Sequence, residues 1–122
     1  MNGQWYFHKF GGSSLADADR FTRVANLILA HTAEHADQRV GVVVSAMGGI
    51  TDALLRLAVL AEQDDESYVA ELHALGDRYS KAARALLKGE RLISVLDGWG
   101  KDAQDVQDVL KAIALVKSAP QR

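Results

Sequence analysis

Cysteine and proline are the two residue types that this sequence almost does without. Its 122 residues include no cysteine, which excludes disulfide bonds and thiolate metal sites. The single proline, Pro120, favours long uninterrupted elements over a loop-rich fold. No apolar run approaches the roughly 20 residues of a membrane helix. The N-terminus has neither the basic segment nor the apolar stretch of a signal peptide. We therefore expect a cytoplasmic protein with no membrane partner.

Charge of either sign is not in large excess. The formal net charge is −2 at pH 7 and the isoelectric point is near 6.0, so electrostatics give no reason to expect a nucleic-acid partner. Hydrophobic residues make up 48% of the chain, which supplies a core for one small domain. The length does not favour two domains.

The first half of the chain alternates strand and helix signals. Residues 5–10, spelled WYFHKF, are aromatic-rich and suit a strand, and a glycine pair then breaks the pattern. Ser14 with Asp17 fits a helix start signal, and apolar spacing predicts a helix to about His35. Residues 40–44 (VGVVV) are typical of a strand buried on both faces of a parallel sheet. This order predicts a βαβ crossover.

The second half of the chain has helical signals alone. A second glycine-containing loop spans residues 45–50, and Thr51 can cap the helix that follows. Residues 63–66 (QDDE) mark a turn, and their acidic side chains suit the start of the next helix. The last helical segment contains Gly98 and Gly100, which we expect to kink or interrupt it.

The predicted fold is α/β and helix-dominated, with two parallel strands in a βαβ unit followed by a helical subdomain. We divide it into a βαβα core at residues 1–62, which holds both glycine loops, and a helical region at residues 63–117. Typical sheets have about 4–6 strands, so two strands are too few for a complete doubly wound sheet. The open edges of such a sheet invite pairing with another chain.

The first glycine loop has the parts of a phosphate site. Gly11 and Gly12 let a ligand approach the backbone, where N–H groups and a helix N-terminus can hold an anion. Lys9 adds an ammonium group, and the following two serines add hydroxyl donors. The spacing matches neither the dinucleotide-binding fingerprint nor the P-loop. The residues alone leave open an ordinary turn capped by Ser14, with Lys9 a plain strand-end lysine.

Two stretches carry a more specific resemblance. Residues 8–17, spelled HKFGGSSLAD, resemble the opening signature of aspartate kinases, which belong to the amino-acid kinase superfamily with its carbamate-kinase-like fold. Residues 43–54 (VVSAMGGITDAL) are similar to the amino-acid-binding loop of the same family and follow at the right distance. The GGSSLAD spelling looks most like bacterial bifunctional aspartokinase–homoserine dehydrogenases.

The resemblance implies a reaction and a set of residue roles. The γ-phosphoryl group of MgATP would move to the side-chain carboxylate of L-aspartate, giving 4-phospho-L-aspartate for lysine, methionine and threonine biosynthesis. It implies ATP and L-aspartate as ligands, no tightly bound cofactor and no resident metal ion. The phosphate-binding residues would be Lys9, which is also the catalytic residue, and Gly11, Gly12, Ser13 and Ser14. The aspartate-binding residues would be Ser45, Ala46, Gly48 and Thr51.

Several parts of the family pattern have no counterpart in residues 1–122. The Gly-Glu motif, a substrate-binding arginine, the nucleotide-binding half and the ACT domains cannot be placed. We therefore expect the N-terminal part of an aspartate kinase catalytic domain, without turnover on its own. One alternative is a non-catalytic kinase-like module that forms homo-oligomers through its helices or open strand edge. Another is an amino-acid kinase acting on glutamate or a carbamate.

Other residues fit ordinary structural roles better than functional ones. His31 and His35 could share a metal ion but lack a third ligand, so a solvated helix end is favoured. Trp99 fits a core plug better than a ligand platform. We expect strand packing for His8, which could otherwise tune the phosphate site. Residues 64–66 could bind a cation, but a charged helix start is favoured. Asp102, Asp105 and Asp108 fit an exposed helix face.

Overall fold

The computed structural model describes residues 3–118, which form two strands, one short 3-10 helix and four α-helices. The elements are β1 (Trp5–Phe10), the 3-10 helix (Gly12–Leu15), α1 (Ala18–Glu34), β2 (Arg39–Val44), α2 (Ile50–Glu62), α3 (Tyr68–Leu86) and α4 (Gly89–Ser118). They divide into two compact units, the first ending at Ile50 and the second beginning at Thr51. The division drawn from the sequence instead falls at the end of α2.

The two strands form a parallel pair. The register runs from Trp5 opposite Arg39 to Phe10 opposite Val44, and α1 connects the strands. The predicted fold class is confirmed: a parallel βαβ unit is followed by helices alone within residues 3–118. A parallel pair needs such a crossover because its two strands run in the same direction.

The prediction that the second strand is buried on both faces is wrong. Val43 is 50% exposed and Val44 is 58% exposed, and Phe7 on β1 is 65% exposed. A β-branched run indicates that a strand is suited to burial, but burial itself needs flanking strands and covering layers. The sheet contains only β1 and β2 in the part of the chain that is described, so both strands keep a free edge.

Successive side chains of a strand point to opposite faces of the sheet. The two faces of this sheet have different surroundings. On one face, the rings of Tyr6 and His8 lie 4.3 and 4.8 Å from the ring of His31 on α1. His8 Nε2 is buried there and has no hydrogen-bond partner among the described residues. His31 Nε2 lies 3.0 Å from Gln38 Oε1. The histidines of this unit therefore pack α1 against β1.

The other face is named the open face here, and consists of Trp5, Phe7, Lys9, Arg39 and Val43. The rings of Trp5 and Phe7 stack with their centroids 5.7 Å apart, and the Arg39 guanidinium lies over the Trp5 ring. The Phe7 ring covers the backbone of Gly41, where an added Cβ would come within 2.4 Å of it. A glycine interrupts the valine run because an aromatic ring occupies its side-chain space.

Two predicted helix starts are corrected. The N-cap of α1 is Asp17, whose carboxylate accepts a 2.9 Å hydrogen bond from the backbone N–H of Arg20. Ser14 instead lies inside the 3-10 helix. The helix α2 already begins at Ile50, so Thr51 lies in its first turn and not before it. In each case helical structure begins before the residue that the cap pattern selected.

The second unit packs α3 and α4 together. Buried positions in it are Leu57, Leu60, Ala61, Tyr68, Leu72, Leu75, Ala83 and Leu110. The rings of Tyr79 and Trp99 lie 4.4 Å apart, and an added Cβ on Gly76 would lie 3.1 Å from Trp99 Nε1. In the acidic turn the backbone N–H of Ser67 donates to the Asp65 carboxylate at 3.0 Å, which lowers the pKa of Asp65.

The prediction of a break near Gly98 and Gly100 is also wrong. The helix α4 runs without interruption for 30 residues. Each glycine costs only about 1 kcal/mol relative to alanine, and the helix is held by packing that includes the buried Leu110. Packing of an apolar face therefore outweighs the local propensity.

We expect Gly98→Ala and Gly100→Ala each to raise the free energy of unfolding by about 1 kcal/mol. Both positions are exposed, and an added Cβ would meet no atom within 4 Å. Urea denaturation followed by circular dichroism measures the change. Gly89→Ala is the matched control, because Gly89 has a φ of +60° and should be destabilised by the same change. A loss of stability in the first two variants would contradict the uninterrupted helix.

Candidate functional site

The first loop follows directly from the end of β1. Gly11 is extended, with φ −83° and ψ 178°, and the 3-10 helix then begins at Gly12. The backbone N–H of Ser14 donates to the Gly11 carbonyl at 3.1 Å. Leu15, only 1% exposed, anchors the end of this turn. Because Ser14 N–H is already used, the N–H groups of Gly12 and Ser13 at the start of the turn are the ones placed to bind an anion.

Lys9 stands one residue before the end of β1 and is exposed. Its position in the register is opposite Val43 on β2. An ammonium on a side chain of this length can reach a phosphate bound at the loop that begins two residues later. Ser13 is exposed in the same turn, as is Ser14. The structure therefore groups all five of the sequence-predicted phosphate residues at one strand end.

Arg20 also belongs to this loop, and the sequence reasoning did not select it. Its side-chain Nη1 donates a hydrogen bond to the backbone carbonyl of Ser13. Arg20 lies in the first turn of α1. The helix dipole disfavours cations at a helix N-terminus. An arginine in the predicted first turn of α1 is therefore unusual, and this position is the sequence signal that could have identified Arg20. A cation in this position needs a local acceptor, and the loop carbonyl provides one.

The second loop leaves the end of β2. The backbone N–H of Ser45 donates to the Phe10 carbonyl at 3.1 Å, and the Ser45 hydroxyl donates to the Ala46 carbonyl at 2.8 Å. Met47 is buried and so is Ile50, and Gly49 between them has a φ of +83°. A left-handed conformation favours glycine, so this residue type is required for the turn.

The two loops lie side by side in the first unit. An added Cβ on Gly48 would lie 2.9 Å from the Gly12 carbonyl oxygen, and one on Gly12 would lie 3.2 Å from the Gly48 Cα. The Ala46 carbonyl oxygen would lie 3.4 Å from the same added Cβ on Gly12. The carboxyl ends of parallel strands meet at one sheet edge, where open α/β sheets bind their ligands.

The remaining predicted residues have separate surroundings. Thr51 is in the first turn of α2, directly after the second loop. The rings of His31 and His35 lie 4.6 Å apart. Within residues 3–118, no group of three histidine, aspartate or glutamate side chains is arranged to hold a metal ion. None of the helices described is both long and apolar enough to cross a membrane.

Comparison with known proteins decides the family. A sequence model of the amino acid kinase family matches residues 4–115. The chain belongs to this family. The chain is 35% identical over 115 residues to bifunctional aspartokinase/homoserine dehydrogenase 1 of Zea mays, which is chloroplastic. It is equally similar, over the same length, to the chloroplastic bifunctional aspartokinase/homoserine dehydrogenase 2 of Arabidopsis thaliana. An aspartokinase of Mycobacterium tuberculosis is 58% identical over 50 residues, which is 41% of the chain.

These relatives confirm the resemblance to aspartate kinases that the two loop motifs indicated, and the parallel βαβ unit fits the amino-acid-kinase fold. The region matched to the plant relatives is 94% of this chain but 12% of each relative, whereas the 50 residues matched to the mycobacterial relative are 11% of that protein. The chain therefore spans about an eighth of the length of the plant proteins that it matches.

Proposed function

We propose that this chain carries the phosphate loop and the amino-acid loop of an aspartate kinase, which transfers the γ-phosphoryl group of ATP to the side-chain carboxylate of L-aspartate. The observation that supports this most is the approach of Gly12 and Gly48, which puts two strand-end loops next to each other. A transfer between two substrates requires sites that hold both reacting groups in contact.

In this proposal the first loop holds the donor phosphate. The N–H groups of Gly12 and Ser13 would bind its oxygens, with Gly11 giving close access and the Ser14 hydroxyl adding a donor. Lys9 would neutralise charge on the transferring group. Phosphoryl transfer depends mostly on such positioning and charge stabilisation. ATP would enter with Mg²⁺ as a substrate, and no tightly bound cofactor is part of the proposal.

The second loop would hold the amino acid. Ser45 and Thr51 would form hydrogen bonds with L-aspartate through their hydroxyl groups, Ser45 as an acceptor while its own proton stays on the Ala46 carbonyl. Ala46 and Gly48 keep the second loop small enough to fit against the first loop. The product would be 4-phospho-L-aspartate, a precursor for lysine, methionine and threonine. Comparing L-aspartate with L-glutamate as ligand would distinguish this kinase from another amino-acid kinase. The proposal also includes a cytoplasmic location, which imaging of a tagged protein would test.

The experiment is a titration of the 122-residue chain with pyrophosphate, followed by amide NMR. We expect the amide signals of Gly12 and Ser13 to shift, because their N–H groups would bind the anion. Sulfate serves as the control for a weakly held anion. Shifts confined to other residues would contradict the phosphate loop.

A second measurement concerns turnover. The chain covers about 12% of the length of its plant relatives, so we expect it to bind phosphate without catalysing transfer. Hydroxylamine traps an acyl phosphate as a coloured hydroxamate, which would reveal any product from ATP and L-aspartate. A clear hydroxamate signal would contradict the expected lack of turnover by this chain alone.

A specific observation favours a second candidate function, an interaction module that forms homo-oligomers. Trp5 is 56% exposed on the open face, next to the exposed Phe7, and within residues 3–118 both strands keep a free edge. Such edges accept strands from another chain. Sedimentation velocity over a range of concentrations tests this, and we expect Phe7→Ser to reduce any dimer fraction. Monomers at all concentrations would exclude this function.

A further inference from the structure

The peptide group between Ser13 and Ser14 is held at both of its ends. Its N–H donates to the Gly11 carbonyl at 3.1 Å, and its carbonyl accepts from Arg20 Nη1. Asp17 in turn fixes the start of α1, because its carboxylate caps the backbone N–H of Arg20 at 2.9 Å. Arg20 therefore makes two hydrogen bonds, one within the N-cap of α1 and one that ties the first turn of α1 to the loop.

The direction of this carbonyl matters for an anion. A phosphate bound at the N–H groups of Gly12 and Ser13 would be repelled by a carbonyl oxygen turned toward it. The Arg20 bond keeps the Ser13 oxygen directed at a guanidinium, and a charge-assisted hydrogen bond of this kind is stronger than a neutral one. It also keeps a positive charge beside the turn.

We propose that Arg20 is a positioning residue of the phosphate loop, which acts by holding the Ser13 carbonyl away from the bound anion. This inference rests on the proposed function, since it assigns a role in the same site. Arg20 acts through the loop backbone, and its contribution differs from that of Lys9, which would contact the phosphate directly. This role requires the hydrogen bond from Arg20 to the Ser13 carbonyl, and it requires that the bond turn the carbonyl oxygen away from the anion.

The experiment compares the full chain with Arg20→Ala, Arg20→Lys and Arg23→Ala. Arg23 lies one turn further along α1, where it borders a surface depression with Asp19, Thr22, Asn26 and Leu27. Its removal changes the net charge equally without removing the bond to Ser13. Two readouts are measured on each protein: hydrogen exchange of the Ser14 amide, and the Kd for pyrophosphate from an NMR titration. Circular dichroism checks that each variant is folded.

We expect Arg20→Ala to weaken pyrophosphate binding about tenfold or more, because the loop loses the charge-assisted hydrogen bond that holds the Ser13 carbonyl away from the anion. The Ser14 amide should exchange faster in the same variant. Arg20→Lys should recover part of the affinity, since lysine keeps a donor and the charge. Arg23→Ala should leave amide exchange unchanged and weaken binding by less than about threefold, through long-range charge alone.

The two readouts separate the inference from the proposed function. If wild-type protein does not bind pyrophosphate, the phosphate site fails, and faster Ser14 exchange in Arg20→Ala would support only the part of the inference that concerns the loop. Unchanged Ser14 exchange in that variant would overturn the inference in every case. Equal losses of affinity in Arg20→Ala and Arg23→Ala would also overturn it, because general charge would then explain the effect.

Discussion

Replacing Lys9 with alanine is expected to lower kcat by about a hundredfold or more in a complete aspartokinase that carries this segment. Lys9 is exposed at the end of β1, two residues before the glycine pair. An ammonium fixed near the transferring phosphate stabilises charge that grows in the transition state, and water reproduces little of that effect. Steady-state kinetics with saturating L-aspartate and varied MgATP measure kcat and KM separately.

Two variants serve as controls for this loss. Lys9→Arg keeps the positive charge with a different shape, so we expect an intermediate kcat. Lys101→Ala removes an exposed lysine from α4, which is in the second unit, and should leave kcat within about twofold of the wild-type value. A near-normal kcat in Lys9→Ala would place this lysine outside the active site.

Gly48→Val is expected to abolish measurable pyrophosphate binding by the chain. An added Cβ at Gly48 would lie 2.9 Å from the backbone oxygen of Gly12, and backbone cannot rotate away as a side chain can. The two loops must separate to accept the larger residue. Overpacking of this kind costs about 1–3 kcal/mol, so we also expect a lower melting temperature. Thermal denaturation and NMR titration measure the two effects.

Gly11→Ala is the matched control for the loop substitution. A Cβ at Gly11 would meet no atom within 4 Å, and its φ of −83° suits any residue. We therefore expect an unchanged melting temperature in Gly11→Ala, with weaker pyrophosphate binding because the added methyl group stands where an anion would approach. Equal melting temperatures for Gly48→Val and Gly11→Ala would contradict the close packing of the two loops.

Local sequence patterns predicted the loops after the two strands and the end of α1 well. Glycines after a strand-like run require a turn wherever they occur, so the loops at Gly12 and Gly48 were visible from the sequence. The end of α1 near His35 was predicted to within a residue, since the helix ends at Glu34. Each of these features depends on a few neighbouring residues.

Features that depend on contacts outside the residues of a pattern were predicted less well. The run ending at Val44 shows that β2 is suited to burial but does not specify what covers it. The helix start pattern selected Ser14, yet the chain first forms a 3-10 turn and caps α1 with Asp17. Arg20 was missed because its bond to Ser13 joins two residues that no local periodicity relates.

Each compact unit of the chain contains one tryptophan, and this gives each unit its own fluorophore. Trp5 is 56% exposed in the first unit, whereas Trp99 in the second packs against Tyr79. Emission from an exposed indole lies at longer wavelength than emission from a packed one. Phenylalanine replacements at either position would leave a single emitter, so the unfolding of the βαβ unit and that of the helical unit can be recorded separately.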